Sequence, residues 1–390
     1  MRSPFGYMLP LVWGLAGFAC LDPITSQAPV DRPAGKVEAV TTGATHACAL
    51  LEGGSVRCWG APGLVGDGTR SLRVEAVEVK GLSAGVLSLS AGLAHTCELS
   101  TSGHVKCWGQ NARGELGLGD DLPRLEPVAI PELLEGVSQI CAGASHSCAL
   151  KSSGAVFCWG ANDYAQLGVV SPASAPSPVQ VPALSAGIRH IAAGAAHTCA
   201  VTIEGEVHCW GSNAHGELGN GVPSPTPSAA PVRVEGLNDK AMMVVAGRSH
   251  TCALTPAGAV WCWGQNELGA LGDDTSIDRA LPVQPLGLPG PAVSMSAGAG
   301  GTCAVLTSGD AWCWGNNANG QLGDGSRIHR ARPVPVATLE RDARFVSYGE
   351  GFSCGATKTL RAMCWGKNDV GQLGDGTDAP RETPGLVRGL

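Results

Sequence analysis

The protein has 390 residues, 33 acidic against 26 basic side chains, a formal charge of −7, only 15% charged residues and 56 glycines. That balance argues against binding along nucleic acid phosphates or anionic lipid heads, and no basic run interleaved with aromatics offsets it. Few charges, many glycines and no long apolar periodic run point to short strands joined by tight turns.

At the N-terminus, Arg2 precedes an apolar stretch from Met8 to Ala19. It is too short for a bilayer-spanning helix and has the make-up of a signal-peptide core. It ends Leu15-Ala16-Gly17-Phe18-Ala19-Cys20, which resembles a bacterial lipoprotein signal, whose cysteine is acylated after cleavage. Gly17 and Phe18 depart from that pattern, and ordinary cleavage after Ala19 is the rival reading. The expectation is export, with residues 1–20 as signal peptide, Cys20 as lipidation site and residues 21–36 (Pro23, Pro29, Pro33) as a tether. The protein would then sit in the bacterial cell envelope or outside the cell. Its lipid would be its one membrane contact.

From residue 37 onward the sequence repeats. Cysteines occur in pairs ten residues apart, each ending in Cys-Trp-Gly: Cys48 and Cys58, Cys97 and Cys107, Cys148 and Cys158, Cys199 and Cys209, Cys252 and Cys262, Cys303 and Cys313, Cys354 and Cys364. Successive first cysteines lie 49 to 53 residues apart, so one supersecondary unit is copied seven times. In residues 86–119 the expected strands are Val86–Ser90, His95–Leu99 and His104–Trp108. A fourth element begins at Glu115-Leu116-Gly117, and a variable segment follows. Four short strands in about 51 residues is a propeller-blade count.

Three turn residues separate the second and third strands, as in Thr101-Ser102-Gly103, and glycine takes the third place in six copies. That pattern is a three-residue hairpin loop ending in a left-handed residue. Cysteines ten apart then face each other across the hairpin within disulfide reach. One disulfide per blade is therefore expected, each worth roughly 2–3 kcal/mol in the chain-entropy account. The seventh turn, Lys358-Thr359-Leu360, lacks the glycine. Cys141 replaces a small residue of the first strand and is expected as a buried free thiol. The ten-residue spacing is not a metal-ligand spacing. The tryptophans after the second cysteines are read as core rather than as a ligand platform.

The sequence Ala193-Gly194-Ala195-Ala196-His197-Thr198-Cys199-Ala200-Val201, then Gly205-Glu206-Val207-His208-Cys209-Trp210-Gly211, then Asn213-Ala214-His215-Gly216-Glu217-Leu218-Gly219 resembles the regulator of chromosome condensation repeat. The resemblance covers residues 37–390 and implies an all-β, seven-bladed β-propeller with four short antiparallel strands per blade. The cysteine pairs depart from cytosolic and nuclear members and suit an exported variant. Phe352 and Gly301 occupy the histidine position of the seventh and sixth repeats, and ring closure is expected where Val37–Val40 meets Pro384–Val387.

His46, His95, His146, His197 and His250 share one repeat position, read as structural. Asp67, Asp120, Asp273, Asp324 and Asp375 read as turn residues, with calcium as the lesser alternative. No nucleophile elbow, phosphate loop or zinc-protease motif occurs. The expectation is a monomeric, non-enzymatic scaffold without cofactor or metal. It would bind a protein or glycan on a propeller face, through variable loops at 119–127, 169–178, 220–231, 273–282 and 325–333. The resemblance also implies two other roles: exchange factor for a nuclear GTPase, which export and disulfides disfavour, and inhibitor of a hydrolase such as a β-lactamase. An enzyme of unknown class is the remaining alternative.

Overall fold

The computed structural model describes residues 35–390. The signal segment, Cys20 and nearly all of the tether lie outside the described residues. Seven four-stranded antiparallel sheets follow one another along the sequence, each built from four consecutive strands. In the first blade these are Val37–Thr42, His46–Leu51, Val56–Gly60 and Arg73–Glu78. The first strand of each blade packs against the neighbouring blades, as Val37–Thr42 does on Phe352–Thr357, and so lies nearest the axis.

The second and third strands form the expected hairpin, and all seven disulfides join residues directly opposite one another. In chain order, Cys48 bonds Cys58, Cys97 bonds Cys107, and Cys148 bonds Cys158. Cys199 bonds Cys209, Cys252 bonds Cys262, Cys303 bonds Cys313, and Cys354 bonds Cys364. The bonded Cα atoms are 4.0–4.1 Å apart, the close spacing of a non-hydrogen-bonded antiparallel pair. Gly54, Gly103, Gly154, Gly205, Gly258 and Gly309 take φ between 79° and 90° at the third turn position, and Leu360 takes 63° in the seventh. The turn geometry is thus kept without glycine, at the strain cost of a left-handed leucine. Cys141 is free and buried, directly across from Cys148, and burial pushes its thiol well above the usual range.

Three expectations need correction. Glu115–Gly117 does not begin a strand. In the second blade the fourth strand is Arg124–Ala129, because the Asn111 side chain holds residues 111–120 as a loop: its Oδ1 accepts from Leu116 N and its Nδ2 donates to Asp120 O. Much of the variable loops is consequently outer strand, as in Ser224–Arg233 and Arg330–Pro335. Nor is the ring closed by pairing of Val37–Val40 with Pro384–Val387. Val37–Thr42 pairs only within its own blade, and Arg381–Leu386 pairs with Ala362–Gly366. A repeat of about 51 residues holds a complete blade, so no strand is shared between the two termini of the ring.

Closure is face to face. Seven backbone bonds run round one end of the axis: Ala44 N to Leu93 O, Leu93 N to Ala144 O, Ala144 N to Gly194 O, Ala195 N to Gly247 O, Arg248 N to Gly298 O, Ala299 N to Gly349 O, and Glu350 N back to Gly43 O, at 2.9–3.4 Å. The backbone comes this close because each turn carries a glycine. A Cβ on Gly194 would stand 2.6 Å from the Gly247 carbonyl oxygen.

Candidate functional site: the loop-rich face

The strands alternate in direction, so each blade places two connections on each face. One face carries the three-residue hairpins and the links between blades. The other carries the Gly-Ala-type turns of the ring and the long loops between third and fourth strands. This second face holds nearly all the residues that the repeat singles out.

Each of the seven tryptophans that follow the second cysteines is fully buried. Each indole N–H donates at 2.8–3.0 Å to a carbonyl of the preceding blade's long loop: Trp59 to Gln372, Trp108 to Leu64, Trp159 to Glu115, Trp210 to Gln166, Trp263 to Glu217, Trp314 to Ala270 and Trp365 to Gln321. A large apolar body with its one donor satisfied is core. The histidines also join blades. Nε2 of His46, His95, His146, His197 and His250 lies 2.8–3.0 Å from the hydroxyl of Thr96, Ser147, Thr198, Thr251 and Thr302 in the next blade. Burial lowers these imidazoles to about 3 or 4, with neighbouring histidines adding to the effect at His95, His146 and His197. They are neutral hydrogen-bonding struts at neutral pH. In the sixth blade, the Tyr348 ring from the seventh fills the space above Gly301 and donates its hydroxyl to Asn316 O at 2.5 Å.

The aspartates do turn chemistry. In Asp273, Oδ1 accepts from the Thr275 backbone and hydroxyl at 3.1 and 2.7 Å, while Oδ2 takes Arg279 at 2.9 Å. Asp67–Arg73, Asp324–Arg330 and Asp375–Arg381 repeat the pair, and Asp120–Arg124 is a shorter version. The carboxylates are engaged by cations rather than directed at one point. Among the described residues no group of three or more His, Cys, Asp or Glu could hold a metal ion.

The same loops display a second feature, which the repeat motif does not mark. Buried loop asparagines hold a length of backbone outward on Nδ2: Asn266 donates to Ile277 O at 3.2 Å, Asn317 to Ile328 O at 3.1 Å, Asn213 to Val222 O at 2.8 Å. The side chains at these anchored positions are apolar and exposed: Ile277 62%, Ile328 62%, Val222 65%. Leu122, two residues before Arg124, and Leu72, one before Arg73, occupy similar places at 59% and 47%, and Val170 stands out at 87%. Together they form a crown of aliphatic side chains on one face. Ion pairs between neighbouring blades, Arg113–Asp163, Arg332–Asp274 and Arg327–Glu382, brace the loops that carry it. The signal in the sequence is an aliphatic residue two before the arginine in Asp273…Ile277-Asp278-Arg279 and Asp324…Ile328-His329-Arg330.

Residues 12–248 match the RCC1-like domain family, and residues 257–305 and 308–356 match the regulator of chromosome condensation (RCC1) repeat. The protein belongs to the RCC1-like propeller family. It is 32% identical over 371 residues to the ultraviolet-B receptor UVR8 of Arabidopsis thaliana, covering 93% of this protein and 84% of the receptor. It is 33% identical over 289 residues to the human E3 ubiquitin-protein ligase HERC2, covering 71% of this protein but 6% of the ligase. Among solved structures, Prp20p of Saccharomyces cerevisiae superposes with a TM-score of 0.72 at 22% identity, over 88% of this protein and 90% of that one. Human WBSCR16 gives the same score and identity over 82% and 86%. These structural likenesses establish the shared fold.

Proposed function

We propose that this RCC1-like propeller is an exported, non-enzymatic scaffold whose loop-rich face receives a protein partner. The crown carries the reading: six exposed aliphatic side chains, several at matching blade positions, are displayed on braced loops. Each of the first six blades exposes one aliphatic side chain on this face; a partner spanning several blades would bury them together, and rigid presentation lowers the cost of binding. Kindred propellers bind proteins: Prp20 has been solved with Kap60, and Prp20p has binding properties to Gsp1p and histones. Seven intrablade disulfides support an oxidising compartment.

The lipid anchor proposed at Cys20 suits this arrangement. Val37 N donates to Leu360 O of the seventh hairpin turn at 2.8 Å, so the polypeptide enters the propeller on the hairpin face. An anchor there would turn the crown away from the membrane.

The test is site-resolved photo-crosslinking in the native host. A photoactivatable residue at Ile277 or Ile328 should give a defined protein adduct, and one at Glu204 on the hairpin face should not. With the photoactivatable residue at Ile277, Ile328→Ser should weaken that adduct at least tenfold, since burying such a side chain is worth roughly 1.5–3 kcal/mol. Adducts from Glu204 alone would overturn the reading.

A further inference from the structure

The repeat is broken most sharply in one place, and a cavity of about 380 Å³ opens there. Around the axial ring, the residue after each glycine is Ala44, Leu93, Ala144, Ala195 and Ala299 in five blades, but Arg248 in the fifth and Glu350 in the seventh. The sixth turn has Gly300-Gly301, whereas five blades carry Thr, Ala or Ser followed by histidine and the seventh carries Gly351-Phe352, and Tyr348 refills only the histidine's share of that space. The hollow left over is lined by Arg248, Ser249, Gln265, Glu267, Leu268 and Asn316, among others. It lies on the same face as the crown.

The lining is short of partners. Arg248 is 66% exposed, and its ion pair with Glu350 is 3.6 Å long, beyond hydrogen-bond length. Among the described residues, the side chains of Ser249 and Gln265 have no hydrogen-bond partner. Asn316 uses its Oδ1 on Ala318 N at 3.1 Å, which leaves Nδ2 free to donate. Donors thus outnumber acceptors, with Glu267 the one carboxylate among these lining groups. A guanidinium whose carboxylate neighbour stands at 3.6 Å, outside hydrogen-bond length, keeps its fork for an incoming carboxylate, and flanking amides and a hydroxyl supply the remaining donors.

The geometry points to a carboxylate-binding pocket centred on Arg248, which takes an acidic group carried on a peptide. This rests on the loop-rich face being the protein-binding face, and it names the charged anchor inside the apolar crown. The acidic group is either a Glu or Asp side chain or a free peptide C-terminus.

Three small peptides separate these sources, each titrated into the purified full-length protein and followed by saturation-transfer NMR. They are acetyl-Gly-Glu-Gly-amide, acetyl-Gly-Gly-Gly with a free C-terminal carboxylate, and acetyl-Gly-Gln-Gly-amide. At least one carboxylate peptide should bind saturably and at least tenfold more tightly than the glutamine peptide, and the tighter of the two identifies the source. Arg248→Ala should remove that advantage, whereas Glu204→Gln on the hairpin face should leave it unchanged. Absence of binding, equal binding of all three, or an unaffected Arg248→Ala variant would overturn the pocket. None of the peptides can reach the crown through an apolar side chain, so failure here leaves the crosslinking result standing on its own.

Discussion

Stability should fall steeply between pH 7 and pH 5. The five buried histidines have folded pKa values of about 3 or 4 against an ordinary 6.5. Their folded values are depressed, so as pH falls through 6.5 the unfolded polypeptide takes up protons that the folded ring refuses. At pH 5 each has cost about 2 kcal/mol of stability. Glu98 works the other way. It is 1% exposed, neither carboxylate oxygen has a hydrogen-bond partner, and burial pushes it up to about 7 against an ordinary 4.5. Six blades carry Ala or Gly at that position. Protonation of Glu98 regains about 2 kcal/mol over the same range, for a net loss on the order of 7–8 kcal/mol. Guanidinium unfolding followed by tryptophan fluorescence at pH 5, 6 and 7 measures this, and His197→Gln should shrink the loss by about 2 kcal/mol. Equal stability at pH 5 and pH 7 would mean that the imidazoles are not buried neutral struts.

Gly194→Ala should be among the most damaging single-methyl changes in the protein. Gly194 is not left-handed, so alanine meets no left-handed strain there, and the conflict is one of space. The added Cβ meets the His197 ring and, at 2.6 Å, the Gly247 carbonyl oxygen, which itself accepts the ring bond from Ala195. Overpacking of a rigid site typically costs about 1–3 kcal/mol, and loss of the adjacent ring bond adds about 1 kcal/mol. A fall in denaturation midpoint of that size is expected. Gly290→Ala is the control, because a Cβ there meets nothing within 4 Å. Equal effects of the two substitutions would show that the glycine ring does not close the propeller.

The blade count, the hairpins and the disulfide register are legible in the sequence because they are local: ten residues, one turn type and strict alternation decide them. The tryptophan and histidine roles are legible only as core and strut, since their partners lie one blade away, 44 to 54 residues along the sequence and, for Trp59 across the ring closure, 313. The true place of the fourth strand is not legible. Asn111 and its counterparts hold the Gly-x-Leu-Gly segment as a loop, a side-chain-to-backbone effect that alternation does not register. Leu360 shows the converse, a turn whose geometry is imposed by the strands on either side rather than by its residues. The crown is hidden because a lone exposed isoleucine is unremarkable in any sequence. Its meaning comes from Asn266 and Asn317 placing Ile277 and Ile328 at the same point of neighbouring blades. The Arg248 cavity is hidden for the same reason: Gly301 stands out as a missing histidine, but nothing in the sequence puts it beside Arg248.

Sulfur pairing inside each blade underlies both the stapled ring and its proposed place outside the reducing cytoplasm. Cells should be quenched in acid, their free thiols alkylated, and the protein mapped by mass spectrometry without reduction. The predicted result is seven links, each between cysteines ten residues apart, with Cys141 alone carrying the label among residues 35–390. Labelled thiols at the paired positions, or links between blades, would contradict it.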